Sequence, residues 1–382
     1  MKLAVLREKR DFEKRVSATP ETVRKIISLG LEVIVEKGAG LGAQITDKLY
    51  HNAGATIFTN QDELKDVDII IKVQRPINDS EKGEYECSNL KKDCILIGLL
   101  DPFSNFEQIK QYAEKNITAI SLELVPRITR AQSMDVLSSQ SNLAGYKSVL
   151  EAANEYGKAM PMMMTAAGTV APAKVFVLGA GVAGLQAIAT AKRLGAIVFA
   201  TDVRPNVKEQ VESLGAKFVM VETEEPIDSE TSGGYAKEMS KNYKEKQENL
   251  VKETLSKCDI AICTALIPGK KAPILIRKET VQSMKLGSII VDLAVEQGGN
   301  CECSEYGLVS TVNGVKVIGK VNFPSLIPLD SSNLYSKNIL NFLDLLIKDK
   351  KDYSTIDWND EIIKATTLTK DGKIVNNEFS YK

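Results

Sequence analysis

Three glycines and an aspartate carry the clearest chemical signal in this chain. Residues 174–204 read KVFVLGAGVAGLQAIATAKRLGAIVFATDVR, with Gly179, Gly181 and Gly184 spaced as G-x-G-x-x-G and Asp202 18 residues beyond the last. That spacing suits a ligand that carries phosphate. Gly179 permits a tight strand-to-helix turn, Gly181 lets backbone approach a pyrophosphate, and Gly184 lets the helix lie close to the strand. The helix N-terminus favours the phosphate charge. A carboxylate at the end of the next strand accepts hydrogen bonds from a ribose diol. Asp202 would also repel a 2′-phosphate, so NAD(H) is expected ahead of NADP(H). Arg204, two residues on, could meet such a phosphate or stack on adenine.

A glycine triplet alone is weak evidence; its setting gives it weight. An apolar, strand-like run at 175–178 precedes it, an Ala-, Leu- and Ile-rich helical segment follows, and a second β-branched run at 197–201 ends at the acid. Strand, glycines, helix, strand and acid in that order imply dinucleotide binding.

The elements around this segment suggest two domains. A chain of 382 residues exceeds one ordinary core. Residues 3–6, 32–35, 67–73, 95–99 and 117–122 read as strands, and 20–29, 47–53 and 103–115 as helices, with Thr19-Pro20-Glu21 a good helix start. Strands separated by helices imply parallel, doubly wound sheets. The expected fold is therefore α/β: two Rossmann-like doubly wound parallel-sheet domains separated by a cofactor cleft. Residues 1–138 with 330–382 form the N-terminal domain, which lacks a glycine fingerprint, and 139–329 form the NAD(H)-binding domain. A helix at 142–156 is expected to cross between them, and another at 334–347 to return, with the last thirty or so residues packed on the first domain. Further elements are expected in the second domain at 207–214, 217–221, 259–263 and 288–293. Residues 222–246, polar and carrying Gly233-Gly234-Tyr235, read as a surface loop or as a lid over bound cofactor. The methionines Met160, Met162, Met163 and Met164 read chiefly as packing at the start of the nucleotide domain.

Composition excludes several classes. Forty-nine basic and fifty acidic residues leave no charge bias toward nucleic acid or a membrane surface. No apolar run reaches the roughly 18–20 residues needed to span a bilayer, and no secretory pattern opens the sequence. The six cysteines lack zinc-knuckle spacing and read as reduced structural thiols of a cytoplasmic protein, so no metal is expected. One histidine, His51, limits the proton chemistry, and its place in a helix-like segment reads as a surface position.

Arg127, Gln132 and Asp135, just ahead of the expected interdomain helix, bring a resemblance into view. With them go Arg15-Val16-x-x-Thr19-Pro20, Gly38-Ala39-Gly40, residues 161–171, the fingerprint, Gly233 to Ala236, residues 291–300 and the tail at 358–373. On these motifs the whole chain resembles the soluble NAD(H)-binding alpha subunit component (domain I) of proton-translocating NAD(P) transhydrogenase, in the form where this component is a separate subunit. The resemblance implies direct hydride transfer, of the Si/Re-specific type, between NADH on this chain and NADP⁺ on a partner, coupled to proton translocation. Its implied partners are a second copy of itself, an NADP(H)-binding beta subunit and a separate membrane-spanning alpha subunit. It would sit on the cytoplasmic face, peripheral to the inner membrane. Arg127, Gln132 and Asp135 then correspond to catalytic groups that hold the nicotinamide and its ribose or reach toward the second nicotinamide, and Ser138 to a further ring contact. Cofactor contacts are likewise implied for Ile128, Val182, Val203, Arg204, Gly234, Tyr235, Ala265 and Leu266.

Alanine dehydrogenase is similar in architecture and is the alternative. There a Lys and a His accompany an Arg in handling the keto acid. Here Arg15 persists, but Gln74 stands at the Lys position and Leu100 at the His position. Hydride transfer between two nicotinamides requires alignment and no proton donor, whereas imine reduction requires one. The lack of a proton-transferring group therefore favours the transhydrogenase.

Overall fold

The structure, a computed structural model, describes residues 1–78, 81, 86–88, 90–221, 240–267, 269–347 and 356–379. The chain forms two compact units, residues 1–140 with 325–382, and residues 141–324.

The first unit alternates β1 (Lys2–Val5), α1 (Pro20–Ser28), β2 (Glu32–Glu36), α2 (Asp47–Asn52), β3 (Thr56–Phe58), β4 (Ile69–Gln74), β5 (Ile95–Leu99), α3 (Phe106–Glu114) and β6 (Thr118–Ser121). Every strand pairing is parallel, in the order β3-β2-β1-β4-β5-β6. Leu3, Val5, Ile69 and Ile71 enter one apolar core while Ala4, Leu6 and Ile70 enter a second. The sheet is thus buried on both faces, which is why its strands read as unbroken apolar runs. The edge strand β3 escapes sequence reading because it is three residues long.

The helix expected at 142–156 is longer. As α4 (Val136–Glu155) it begins six residues earlier and runs across the boundary between the units.

The second unit opens with a hairpin, β7 (Met163–Thr165) and β8 (Gly168–Val170), that belongs to neither large sheet. Then follow β9 (Lys174–Leu178), α5 (Val182–Arg193), β10 (Ile197–Thr201), α6 (Lys208–Ser213), β11 (Lys217–Phe218), α7 (Lys241–Lys257), β12 (Ile260–Cys263), α8 (Lys278–Gln282), β13 (Ile289–Asp292), β14 (Val309–Val312) and β15 (Val315–Ile318). The sheet order is β11-β10-β9-β12-β13-β15-β14, parallel except for the edge strand β14. Phe176, Leu178, Ala261, Cys263, Ile290 and Val317 pack on one face with Val251 and Leu255 of α7.

Two expectations are corrected here. Residues 241–246, the end of the stretch read as loop, open α7, in keeping with the charge run Lys241, Lys244 and Lys246 read as a solvated helix face: Ser240 caps that helix by accepting the Tyr243 N–H at 3.3 Å, and Tyr243, Val251 and Leu255 give it a narrow buried stripe. The methionines are also mostly not packing. Met160 is buried, but Met162, just before the hairpin, and Met163 and Met164 on it are 60%, 43% and 79% exposed.

The C-terminal segment completes the first unit with α9 (Pro328–Leu346), α10 (Glu361–Thr366), β16 (Thr369–Lys370) and β17 (Lys373–Ile374). Tyr335, Ile339, Phe342 and Leu343 of α9 join the core of Leu3 and Val5, and Leu368 and Phe379 join that of Ala4 and Leu6. The tail also bonds to the edge strand, the Leu368 N–H donating to the Ala119 carbonyl at 2.8 Å.

Candidate functional site

In the second unit, β10 and β12 lie on opposite sides of β9, which makes the carboxyl end of β9 the switch point where α/β folds bind ligands. The glycines there divide the work. Gly179 has φ +100, where a side chain would be strained. A Cβ on Gly184 would stand 1.9 Å from the Gly179 carbonyl oxygen, so only glycine lets α5 start this close to the strand. A Cβ on Gly181 would meet nothing nearer than Arg204 Nη2 at 4.0 Å. That position is open on the side of the α5 N-terminus, a cradle of the kind a pyrophosphate fits. Val182, in the first turn of α5, is 37% exposed.

Asp202, one residue past β10, is buried and fully engaged. Its Oδ2 accepts the Ala180 N–H at 2.7 Å and Arg204 Nη2 at 2.8 Å; its Oδ1 accepts the Arg204 N–H and Nε, each at 2.9 Å. The acid therefore ties the second strand to the glycine turn and holds the Arg204 guanidinium in a fork. Val203 lies half-buried between them.

After β12, Thr264 Oγ1 donates to the Gly179 carbonyl at 3.0 Å, and Ala265 and Leu266 follow, half-buried and exposed. A buried network that sequence reading did not single out holds this loop. Asn300 accepts the Ala265 N–H at 3.0 Å and donates to the carbonyls of Ala265 (2.9 Å) and Pro273 (2.8 Å). Asp292 in turn accepts the backbone N–H groups of Ala294, Asn300 and Cys301 and the Ser304 hydroxyl. The signal lay in residues 291–300, where a polar pair brackets two glycines. Gly234 and Tyr235 lie outside the described residues.

In the first unit, residues 129–134 form a 3₁₀ turn in which Ala131 and Met134 are buried while Arg127 and Gln132 are exposed and Ile128 is half-buried. The turn is pinned from α9, where Asn338 and Asn341 both donate to the Ser133 carbonyl, at 2.8 and 3.1 Å. Those two asparagines, three apart on a mostly apolar helix, also went unread. Asp135 caps α4, accepting the Ser138 N–H at 2.8 Å and its hydroxyl at 2.6 Å. This cap explains the early start of α4 and brings Asp135 and Ser138 together. Arg130 has a different task, pairing with Asp360 and Glu361 of the tail at 2.7 and 3.1 Å.

At the equivalent switch point of the first sheet, between β1 and β4, buried charged side chains gather. Glu8 accepts the Val73 N–H at 2.6 Å and lies 3.7 Å from the buried ammonium of Lys72, which bonds Glu86 at 2.8 Å. Burial pushes the Glu8 carboxyl up to about 7, against the pull of Lys72. Arg15 is buried, its guanidinium held by Glu13 (2.8 and 2.6 Å) and by Gln140 Oε1 (2.8 Å). Gln74 donates to the same Glu13 at 3.1 Å, and Leu100 is buried. His51 is exposed on α2.

All six cysteines are free, five of them buried. Among the described residues, no helix is long and apolar enough to cross a membrane.

Comparison with known proteins fits this geometry. The family model for the alanine dehydrogenase/PNT N-terminal domain matches residues 4–144, and that for the C-terminal domain residues 148–377. The chain is 52% identical over 377 residues, 98% of each chain, to the first of the separate parts of NAD(P) transhydrogenase subunit alpha in Rhodospirillum rubrum. It is 30% identical, over all of this chain and 98% of the other, to alanine dehydrogenase 1 of Staphylococcus aureus. The solved structure of a transhydrogenase from Sinorhizobium meliloti matches with a TM-score of 0.87 at 48% identity, covering 98% of this chain and all of that one. This nicotinamide-nucleotide-binding chain belongs to the alanine dehydrogenase/PNT family, and within it to the transhydrogenase alpha subunits.

Proposed function

We propose that this chain is the NAD(H)-binding component of a proton-translocating NAD(P) transhydrogenase. The observation that carries the cofactor choice is Asp202, a buried carboxylate at the end of β10 that also fixes the glycine turn. A diol suits this acceptor and a 2′-phosphate does not. Gly179, Gly181 and Gly184 with Val182 take the pyrophosphate. Val203 and the backbone of Arg204 line the adenosine ribose, while Ala265 and Leu266 approach the nicotinamide half; Gly234 and Tyr235 are assigned a closing role.

The bound dinucleotide supplies a transferable hydride at its nicotinamide C4, and NADP(H) on a partner subunit is the second substrate. The chain's own residues position. Gln132 projects from a turn that two asparagines of α9 pin down, so its amide is held on a rigid base. Arg127 and Asp135, with Ile128 and Ser138, orient the carboxamide and ribose, and no side chain has to accept a proton. Coupling to proton movement belongs to membrane subunits. The R. rubrum relative is named as one part of a divided alpha subunit, which supports further subunits; on this reading they are an NADP(H)-binding beta subunit and a separate membrane-spanning alpha subunit. On the same reading the chain sits on the cytoplasmic face of the inner membrane. The β7–β8 hairpin, part of neither large sheet and with Met163, Met164 and Val170 exposed, supports a homodimer.

The test is reconstitution. NADH-dependent reduction of an NADP analogue should appear only when partner components are added. Gln132→Asn should cut that rate by orders of magnitude while leaving NADH affinity almost unchanged, the mark of an interaction needed chiefly in the transition state. A wild-type rate, or loss of NADH binding, would refute the positioning role. A sedimentation mass near one chain at micromolar concentration would refute the dimer.

A further inference from the structure

The four acceptor positions of the Asp202 carboxylate are all taken, two by backbone N–H groups (Ala180 and Arg204) and two by the Arg204 guanidinium. A ribose diol that is to bond this acid must displace a donor. The backbone donors are fixed by the glycine turn and by the chain after β10. The guanidinium, at the end of a side chain with several rotatable bonds, is the one that can leave. The same guanidinium also stands over the open face of Gly181, Nη2 lying 4.0 Å from where a Cβ would be.

We infer that Arg204 is an internal occupant of the cofactor site: it holds Asp202 in place of the ribose diol and exchanges the carboxylate for the pyrophosphate when the dinucleotide enters. The exchange conserves charge pairing. Before binding, the fork neutralises a buried carboxylate, which is costly to leave alone. Afterwards two hydroxyl groups satisfy the acid, and a short swing toward Gly181 sets the guanidinium against phosphate oxygens, for which its planar donor pair is suited. Arg204 would thus weaken the ribose contact and strengthen the phosphate contact, which makes selection depend on a ligand carrying both. A nucleoside alone has to break the Asp202–Arg204 pair without offering the guanidinium a new partner.

The inference rests on the NAD(H) reading and is tested with ligands that separate the two halves. Adenosine and ADP are titrated calorimetrically against the unmodified chain, Arg204→Met, which keeps an unbranched stem without charge, and Arg204→Lys, which keeps charge without the fork. Arg204→Met should bind adenosine roughly threefold or more tighter, as expected when one charge-assisted competitor is removed. The preference for ADP over adenosine should at the same time shrink by roughly tenfold, and Arg204→Lys should fall between. Unchanged or weaker adenosine binding in both variants would overturn the occupancy of the diol site. An unchanged ADP-to-adenosine ratio would overturn the exchange onto phosphate. The underlying reading fails separately, if Asp202→Ala binds NADH as the unmodified chain does, and this inference falls with it.

Discussion

Gly181 and Gly184 are three residues apart, yet they should respond to alanine in opposite ways. A Cβ at 184 would stand 1.9 Å from the Gly179 oxygen, 2.8 Å from its carbonyl carbon and 3.1 Å from Thr264 Oγ1. Ordinary contact begins near 3.4 Å, so α5 must retreat by about 1.5 Å against backbone that cannot yield. Overpacking of this kind costs up to about 3 kcal/mol, and replacing a helical glycine returns about 1 kcal/mol. Gly184→Ala should therefore lose about 2 kcal/mol, or roughly 4–8 °C in Tm for a unit of this size. At Gly181 the backbone is ordinary, φ −77, and the nearest atom is 4.0 Å away. Gly181→Ala should cost under about 1 kcal/mol, the helix-cap preference alone. It should instead weaken NADH by roughly tenfold or more, because its methyl group stands where phosphate must approach. Thermal unfolding followed by circular dichroism, beside NADH fluorescence titration, reads both quantities. An undiminished Tm in Gly184→Ala would refute the close-packing argument. Wild-type NADH affinity in Gly181→Ala would refute the placement of the pyrophosphate.

Other residues make further predictions. Asp202→Ala should narrow the NADH-over-NADPH preference by about 1–3 kcal/mol, the worth of a charged acceptor; equal affinities in the unmodified chain would refute the assignment. Asn300→Ala strands the Ala265 N–H and two carbonyls and should cost about 3 kcal/mol or more while loosening NADH; an unchanged urea midpoint would show that Asn300 does not hold the loop. Glu8 makes the fold pH-sensitive. Burial raises its carboxyl from 4.5 to about 7, so between those values the folded chain binds more protons than the unfolded one. Its contribution is therefore present below pH 4.5 and lost as pH rises to about 7, a span worth up to about 3 kcal/mol. Glu8→Gln should flatten that decline in urea unfolding between pH 5 and 8, and an unaltered slope would remove Glu8 as its source.

What was legible in the sequence was whatever a backbone conformation demanded. Gly179 at φ +100 and the close contact at Gly184 both strongly favour glycine, so the fingerprint could be read with its strand and helix attached. The hairpin of β14 and β15 carries a local signal of the same kind that went unused: Asn313-Gly314 between β-branched runs, with φ of 49 and 76, suits a tight turn. The β7–β8 hairpin offers no such signal, since Ala166-Ala167 at its tip is not turn chemistry. Polarity hid α7, whose buried positions are only Tyr243, Val251 and Leu255 in 17 residues. The Asp135 cap was concealed by its second reading, as a candidate cofactor contact. The positioning asparagines, Asn300 and Asn338 with Asn341, were hidden for a different reason. Their partners are backbone groups remote in sequence, and no local spacing encodes them.

The alanine dehydrogenase alternative can be weighed on the same ground. A keto-acid site needs a cation for the carboxylate and a group that moves a proton to or from the reacting centre. Arg15 is the retained cation, but its guanidinium is buried and committed to Glu13 on two nitrogens and to Gln140 on a third. Gln74, where the dehydrogenase resemblance asks for a Lys, spends its amide on the same Glu13, and Leu100 cannot carry a proton at all. Burial pushes the Glu8 carboxyl up to about 7, but its side chain is 2% exposed and it is held by the Val73 N–H beside the equally buried Lys72. The chain alone should therefore give no NAD⁺ reduction with L-alanine above a no-protein control, across neutral and alkaline pH, while still binding NADH. Measurable turnover that disappears in Arg15→Ala would show that the charged cluster opens to admit a carboxylate, and the transhydrogenase reading would lose its main chemical support.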